Sequence, residues 1–322
     1  SMYGVEGGRR GAGSIRDAEL PASDPSRHFV ADQERRVRAA LAALPPQTGE
    51  GAFVYASRCL GALLPMAPPD FLHRADSLPG PRPLRMLSLC AGAARVEEQI
   101  LRSCREPVHL TLLDATRELV QRAADRLQSF ASPHTVDCLV GDVNLGLPGD
   151  GSYDVILCVS ALHHVADLER VLADCNARLS DHGEFWSIGE QIGRNGNRLW
   201  PEALAAANAA FARLPARLRR NVHTGATDES ISDADYSAGC FEGIRSEELE
   251  TLLEQHFVAV QTYKRNAFLW RLVDATYGDN FGLQDAGDLG HLHDLIVAEL
   301  VHWAAGGRST EQHSIYRKKT VR

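Results

Sequence analysis

An excess of positive charge is the first thing this sequence lacks: its 322 residues carry 34 Lys and Arg against 42 Asp and Glu, a net charge of −8. A surface of that sign repels phosphate, so a general nucleic-acid binder is not expected. Long hydrophobic runs are missing too, since none approaches the roughly 20 residues of a membrane-spanning helix. No secretory signal is visible; the N-terminus is Gly-rich and polar, with Ser1 before Met2 as in an expression scar. The cysteines Cys59, Cys90, Cys104, Cys138, Cys158, Cys175 and Cys240 include no C-x-x-C pair. That spacing gives no zinc site, and a chain of this length is a poor candidate for a disulfide framework. They read as buried thiols of a cytoplasmic protein.

What is present is an ordinary globular composition, 44% hydrophobic and 24% charged, enough for a substantial core. Residues 1–25 have no periodicity and are expected to be poorly ordered. Helices fit Asp32 to Leu44, stopped by Pro45-Pro46, and Phe53 to Leu64, ended by Pro65. Together they make an N-terminal helical cap over 26–83. Strand and helix then alternate. Apolar strand-like runs at Leu84–Leu89, Val108–Leu113, Thr135–Val140, Tyr153–Val159 and Gly183–Gly189 are separated by helical patterns, with Thr116 placed as an N-cap. Repeated βα units of this kind predict a doubly wound, mostly parallel α/β sheet covered on both faces. This core spans 84–192. A helical lid follows over 193–256, including a helical stretch at Arg198–Arg220 and a helix from Ser246, its cap, to His256. Residues 257–322 hold strands at Phe257–Tyr263 and Gln312–Arg317 around a helical insertion.

In a doubly wound sheet ligands bind beyond the carboxyl ends of the strands. Several features converge there. The loop Cys90-Ala91-Gly92-Ala93-Ala94 brings small side chains to the start of a helix. Asp114 ends the second strand, 22 residues after Gly92, where a carboxylate can accept both hydroxyls of a ribose. Asp142, in Gly141-Asp142-Val143, can accept from an adenine amino group while Val143 supplies an apolar ring contact. The fourth strand ends in Cys158-Val159-Ser160-Ala161-Leu162-His163-His164. No G-x-G-x-x-G follows the first strand, which argues against a dehydrogenase.

The successive segments LRMLSLCAGAARVE, LTLLDAT, LVGDVN, YDVILCVSALHHV and LSDHGEFWSIGEQIG resemble the ordered motifs of class I S-adenosylmethionine-dependent methyltransferases across some 110 residues. The stretch GEQIGRNGNRLWPEALAAANAAFARLPARLRR is similar to a bacterial small-molecule subgroup, and the weaker resemblance spans most of 50–320. The resemblance implies a seven-stranded sheet closed by an antiparallel hairpin, with S-adenosylmethionine as cofactor and S-adenosylhomocysteine as product. It places Ser88, Cys90, Ala91, Gly92, Asp114, Ala115, Asp142, Val143, Cys158 and Val159 around the cofactor. The chain departs from the family where Ser88 replaces the usual acid and only Gly92 remains of the usual glycine run.

Methyl transfer from a sulfonium requires in-line positioning and exclusion of water, and a base only where the acceptor must lose a proton. His163 and His164 are the candidate bases, His163 preferred, and Glu190 a candidate to hold the acceptor's amine or hydroxyl. Tyr55, Arg58, Arg198 and Trp200 are candidate substrate-pocket residues, and no metal-ligand pattern is read from the other histidines. The leading expectation is O- or N-methylation of a small molecule, with no nucleic-acid or membrane partner and a homodimer as an allowed assembly. Two alternatives stay open: use of the cofactor's aminocarboxypropyl arm, releasing methylthioadenosine, and a non-catalytic binding subunit of the same fold.

Overall fold

A computed structural model describes residues 25–130, 133–240 and 242–320, so the N-terminal stretch expected to be unordered lies, but for Pro25, outside the described residues. The chain opens with three helices, α1 (Pro25–Ala42), α2 (Ala52–Leu63) and α3 (Phe71–Ser77). Five strands with three α-helices among them follow: β1 (Leu84–Leu89), α4 (Arg95–Ser103), β2 (Val108–Asp114), α5 (Arg117–Leu127), β3 (Thr135–Val140), β4 (Tyr153–Val159), α6 (Leu168–Arg178) and β5 (Leu179–Gln191). The remainder is α7 (Pro201–Ala212), the single turn α8 (Ser237–Cys240), α9 (Leu249–His256), β6 (Phe257–Arg265), α10 (Leu269–Val273), α11 (Ala286–Ala304) and β7 (Glu311–Lys318).

The strands form one seven-stranded sheet in the order β3-β2-β1-β4-β5-β7-β6. β1 to β5 pair in parallel, and β7 runs antiparallel between β5 and β6. The apolar runs of β1, β2 and β4 are buried on both faces, which is why they show no polar alternation. One face packs Leu87, Leu89, Ile156 and Phe185 beneath α6 and α9; the other packs Met86, Leu110, Leu157 and Trp186 beneath α3, α4 and α5. A separate apolar cluster joins α2, α7, α10 and α11 above the sheet's far half. α3 is tied to β5 by the fork of Arg74 on buried Glu184 (2.9 and 2.7 Å).

Local readings shift in three places. Thr116 takes the N-cap position of α5 but its side chain makes no capping bond, while its own N–H donates to Asp114 Oδ1 (2.9 Å). Ser246 opens a 3-10 turn, Ser246–Glu248, rather than capping α9. The stretch 198–220 is helical only over α7 and the 3-10 turn Ala216–Arg219, since Pro201 sets the start and Pro215 interrupts the run. The antiparallel pair of β6 and β7 is present, but α10 and α11 fill the connection between them. No helix among the described residues is long and apolar enough to cross a membrane.

Candidate active site

The loop from β1 into α4 turns through three left-handed residues, Cys90 (φ 54°), Gly92 (φ 55°) and Ala94 (φ 58°). Only one is glycine, so the turn is held by outside bonds: Ala91 N–H donates to the Leu113 carbonyl and Gly92 N–H to Asp114 Oδ2 (3.2 and 3.0 Å). Asp114 therefore sits at the tip of β2 with one backbone donor on each carboxylate oxygen, Gly92 on Oδ2 and Thr116 on Oδ1. Each oxygen keeps lone-pair capacity for a further donor. One strand over, Asp142 Oδ1 accepts from the Asn144 backbone and side chain (2.9 and 3.0 Å).

A cavity of about 230 Å³ lies between these strand ends, lined by Cys90, Leu113, Ala115, Gly141, Asp142, Val143, Asn144, His164 and Val165. Of the residues expected around the cofactor, it gathers Cys90, Ala115, Asp142 and Val143, with Asp114 and Gly92 bonded at its rim. Ser88 and Cys158 lie elsewhere, fully inside the sheet core. Ser88 Oγ donates to Glu97 Oε1 (2.7 Å), and burial pushes the Glu97 carboxyl up. Val159 packs on the α3–α5 side. Burial, with the Asp114, Glu190 and Asp142 carboxylates adding to it, pushes the Cys90 thiol up to about 12, so it lines the cavity as a neutral group.

The turn after β4 is built on Glu190. Its fully buried carboxylate accepts the backbone N–H groups of Ala161 and Leu162 on Oε2 (3.0 and 2.9 Å). Oε1 accepts those of His163 and Gln191 (3.2 and 3.1 Å) and lies 2.7 Å from His163 Nδ1. With five N–H contacts Glu190 is saturated, so it orients the turn and the His163 ring instead of holding an acceptor molecule. The other nitrogen of His163, Nε2, lies 3.4 Å from Glu242 Oε2 in the lid, so the ring stands between two carboxylates. The His164 ring packs tilted against His163, 4.0 Å between ring centres, and reaches the cofactor-side cavity. His163, His164 and Glu242 have ligand-type atoms within 4.8 Å of one another, a set the sequence spacing gives no hint of.

A second cavity, about 190 Å³, opens beyond the end of β5, lined in part by Phe53, Gln191, Arg194, Arg198, Ser246 and Trp270. Of the four expected pocket residues only Arg198 reaches it. Tyr55 is fully buried, its hydroxyl donating to the Leu44 carbonyl (2.7 Å) and lying 2.8 Å from His293 Nε2. Arg58 forks onto Glu50 (2.8 and 2.9 Å), and Trp200 donates to the Ser309 carbonyl beneath Arg308. Tyr55 and Arg58 hold the N-terminal helical cap in place, and Trp200 ties the start of α7 to the segment before β7.

Residues 87–185 match the family model described as a methyltransferase domain. The core has the fold of a class I methyltransferase domain. Solved structures similar to this chain include the cyclopropane synthase MmaA2 of Mycobacterium tuberculosis, 12% identical over 77% of this chain and 82% of that one, with a TM-score of 0.44. The [4+2]-cyclase SpnF is 14% identical over 91% of this chain and 96% of that one, at 0.44. Phosphoethanolamine N-methyltransferase 2 of Haemonchus contortus, solved with S-adenosyl-L-methionine, is 12% identical over 78% of this chain and 51% of that one, at 0.43. No curated protein matches the sequence significantly.

Within residues 87–185, the strand-end residues come from βα loops whose place follows from strand order. The second cavity does not work that way. Phe53 comes from α2, Gln191 and Arg194 from the end of β5 onward, Ser246 from the lid, and Trp270 from α10. The one signal that pointed there was the Gly- and Arg-containing stretch after Glu190, which yielded Arg198 and missed its neighbour Gln191.

Proposed function

We propose that this chain is an S-adenosylmethionine-dependent methyltransferase that transfers a methyl group to oxygen or nitrogen of a small molecule. The observation that carries the reading is Asp114, fixed at the tip of β2 by Gly92 and Thr116 with lone pairs left for two ribose hydroxyls. The surroundings fit an adenosine: Asp142 stands one strand away to take an adenine amino group, and Leu113, Val143 and Val165 give the cavity an apolar wall for the ring.

When bound, the cofactor supplies a methyl group already activated on a sulfonium sulfur. The chain's own residues then have three tasks. Asp114 and Asp142 fix the nucleoside end. Glu190 positions His163 with its Nε2 toward Glu242, and that nitrogen takes the acceptor's proton once Glu242 moves aside. The lid and the α2–α10 layer cover the second cavity and exclude water from it.

Calorimetry tests the cofactor step directly. S-adenosylmethionine and S-adenosylhomocysteine are expected to bind the intact protein, and Asp114→Ala to weaken both by about tenfold or more through loss of a charge-assisted acceptor. Absence of binding at millimolar ligand overturns the reading. Mass spectrometry of the spent cofactor checks the reaction: S-adenosylhomocysteine supports methyl transfer, whereas methylthioadenosine moves the chemistry to the aminocarboxypropyl arm.

A further inference from the structure

We infer that the cavity beyond β5 is a binding pocket for a compact, uncharged ring molecule that donates an O–H or N–H hydrogen bond to Gln191 and Ser246. The inference relies on the methyl-transfer reading for what the occupant undergoes, though not for its binding.

The first support is a pair of polar groups left without partners. Ser246 is 2% exposed, yet its hydroxyl has no hydrogen bond among the described residues, and neither has the buried amide oxygen of Gln191. Both residues line this cavity. A buried polar atom without a partner is destabilising, so two on residues of one cavity wall mark groups that a side-chain rotation offers to a ligand. Gln191 Oε1 can only accept, which requires the occupant to bring a donor; the Ser246 hydroxyl can answer either way.

The second support is charge balance. Each ionic group on the wall already has a counter-ion: Arg194 with Asp233 (2.5 Å), Arg198 with Asp235 (3.5 Å), and Glu311 with Arg265 (2.9 Å). A charged occupant would leave its own charge unpaired in a partly dry site, which is strongly unfavourable. Phe53 and Trp270 complete the wall, and Trp270 has its indole N–H tied to Thr310 Oγ1 (3.0 Å), so it offers its ring face and not its donor. At about 190 Å³ the space suits one or two rings. Its position joins it to the reaction centre: Gly189 and Gln191 on its wall flank Glu190, whose carboxylate carries His163.

The test compares uncharged probes, phenol and benzamide, with benzoate and benzylammonium, titrated by NMR into the full chain in the presence of S-adenosylhomocysteine. Phenol and benzamide are expected to bind at least tenfold more tightly than either ion. Gln191→Met and Ser246→Ala should each weaken that binding by roughly tenfold, the usual effect of one buried hydrogen bond. The ligand-free variants should melt no lower than the wild type, because neither group has an internal partner to lose. Preference for an ion, no binding of either uncharged probe at millimolar concentration, unchanged affinity in the variants, or variants that melt several degrees lower each overturn the assignment. Binding of S-adenosylhomocysteine alone is followed in parallel; its absence defeats the methyl-transfer reading whatever the probes do.

Discussion

At the scale of single residues, the site depends on backbone conformations that its side chains disfavour. Cys90 at φ 54° stands where glycine is at ease, and the left-handed region costs an L-residue roughly 1–2 kcal/mol. In Cys90→Gly that relief is offset by lost thiol packing and a freer unfolded chain, so urea unfolding should register a change within about 1 kcal/mol. Cys90→Val adds a β-branched side chain to the same conformation and should lose about 2 kcal/mol or more. A stable valine variant would show that the turn is not under this constraint. Glu190 carries the second dependence. Glu190→Gln replaces an acceptor oxygen by an NH₂ group among five converging N–H groups, and should destabilise the fold by about 3 kcal/mol in the same assay. Asp114 and Asp142 were legible in the sequence because a strand end fixes where a side chain goes. The role of Glu190 was not: its position was readable, but the five donors around it come from a turn whose shape no spacing reveals.

At the scale of elements, the helices were legible where amphipathic periodicity was long and punctuated by proline, as in α1, α2 and α7. Their mutual packing was not. Tyr55 reads equally well as a pocket aromatic or a core residue; the fold decides by setting α11 against α2, so that His293 meets its hydroxyl. Tyr55→Phe should therefore lower stability by about 1–2 kcal/mol, measured by thermal unfolding, and leave S-adenosylhomocysteine affinity unchanged. An affinity loss would return Tyr55 to the ligand site. The same packing places Glu299 of α11 inside the core, where it accepts the N–H groups of Ala267, Phe268 and Leu269 (3.1, 3.0 and 3.0 Å) and so fixes the start of α10, the helix that carries Trp270. The cysteines divide by element too: Cys59, Cys104, Cys158 and Cys175 are buried and Cys90 and Cys138 half-buried, but Cys240 on the short α8 is exposed, against the expectation of a buried thiol.

At the scale of the whole molecule, acid should weaken the join between β7 and β6. Burial alone would raise the Glu311 carboxyl, but hydrogen bonds from His313 and Arg265 outweigh it and hold the group near 2. A depressed folded-state value means stability that is present above the ordinary glutamate range near 4.5 and is lost as pH falls toward 2. Denaturation across that window should show the wild type losing stability faster than Glu311→Gln; parallel slopes would remove Glu311 from the acid response.

The position of β7 has one more consequence. The last strand to be synthesised is inserted between β5 and β6, so until residue 311 and beyond have emerged, both of those strands present bare hydrogen-bonding edges. On the ribosome, the cofactor-side half of the sheet can assemble early from neighbouring βα units, while the half beside the second cavity waits for β7. The nascent protein would thus own a nucleoside-binding surface before it owns a place for an acceptor.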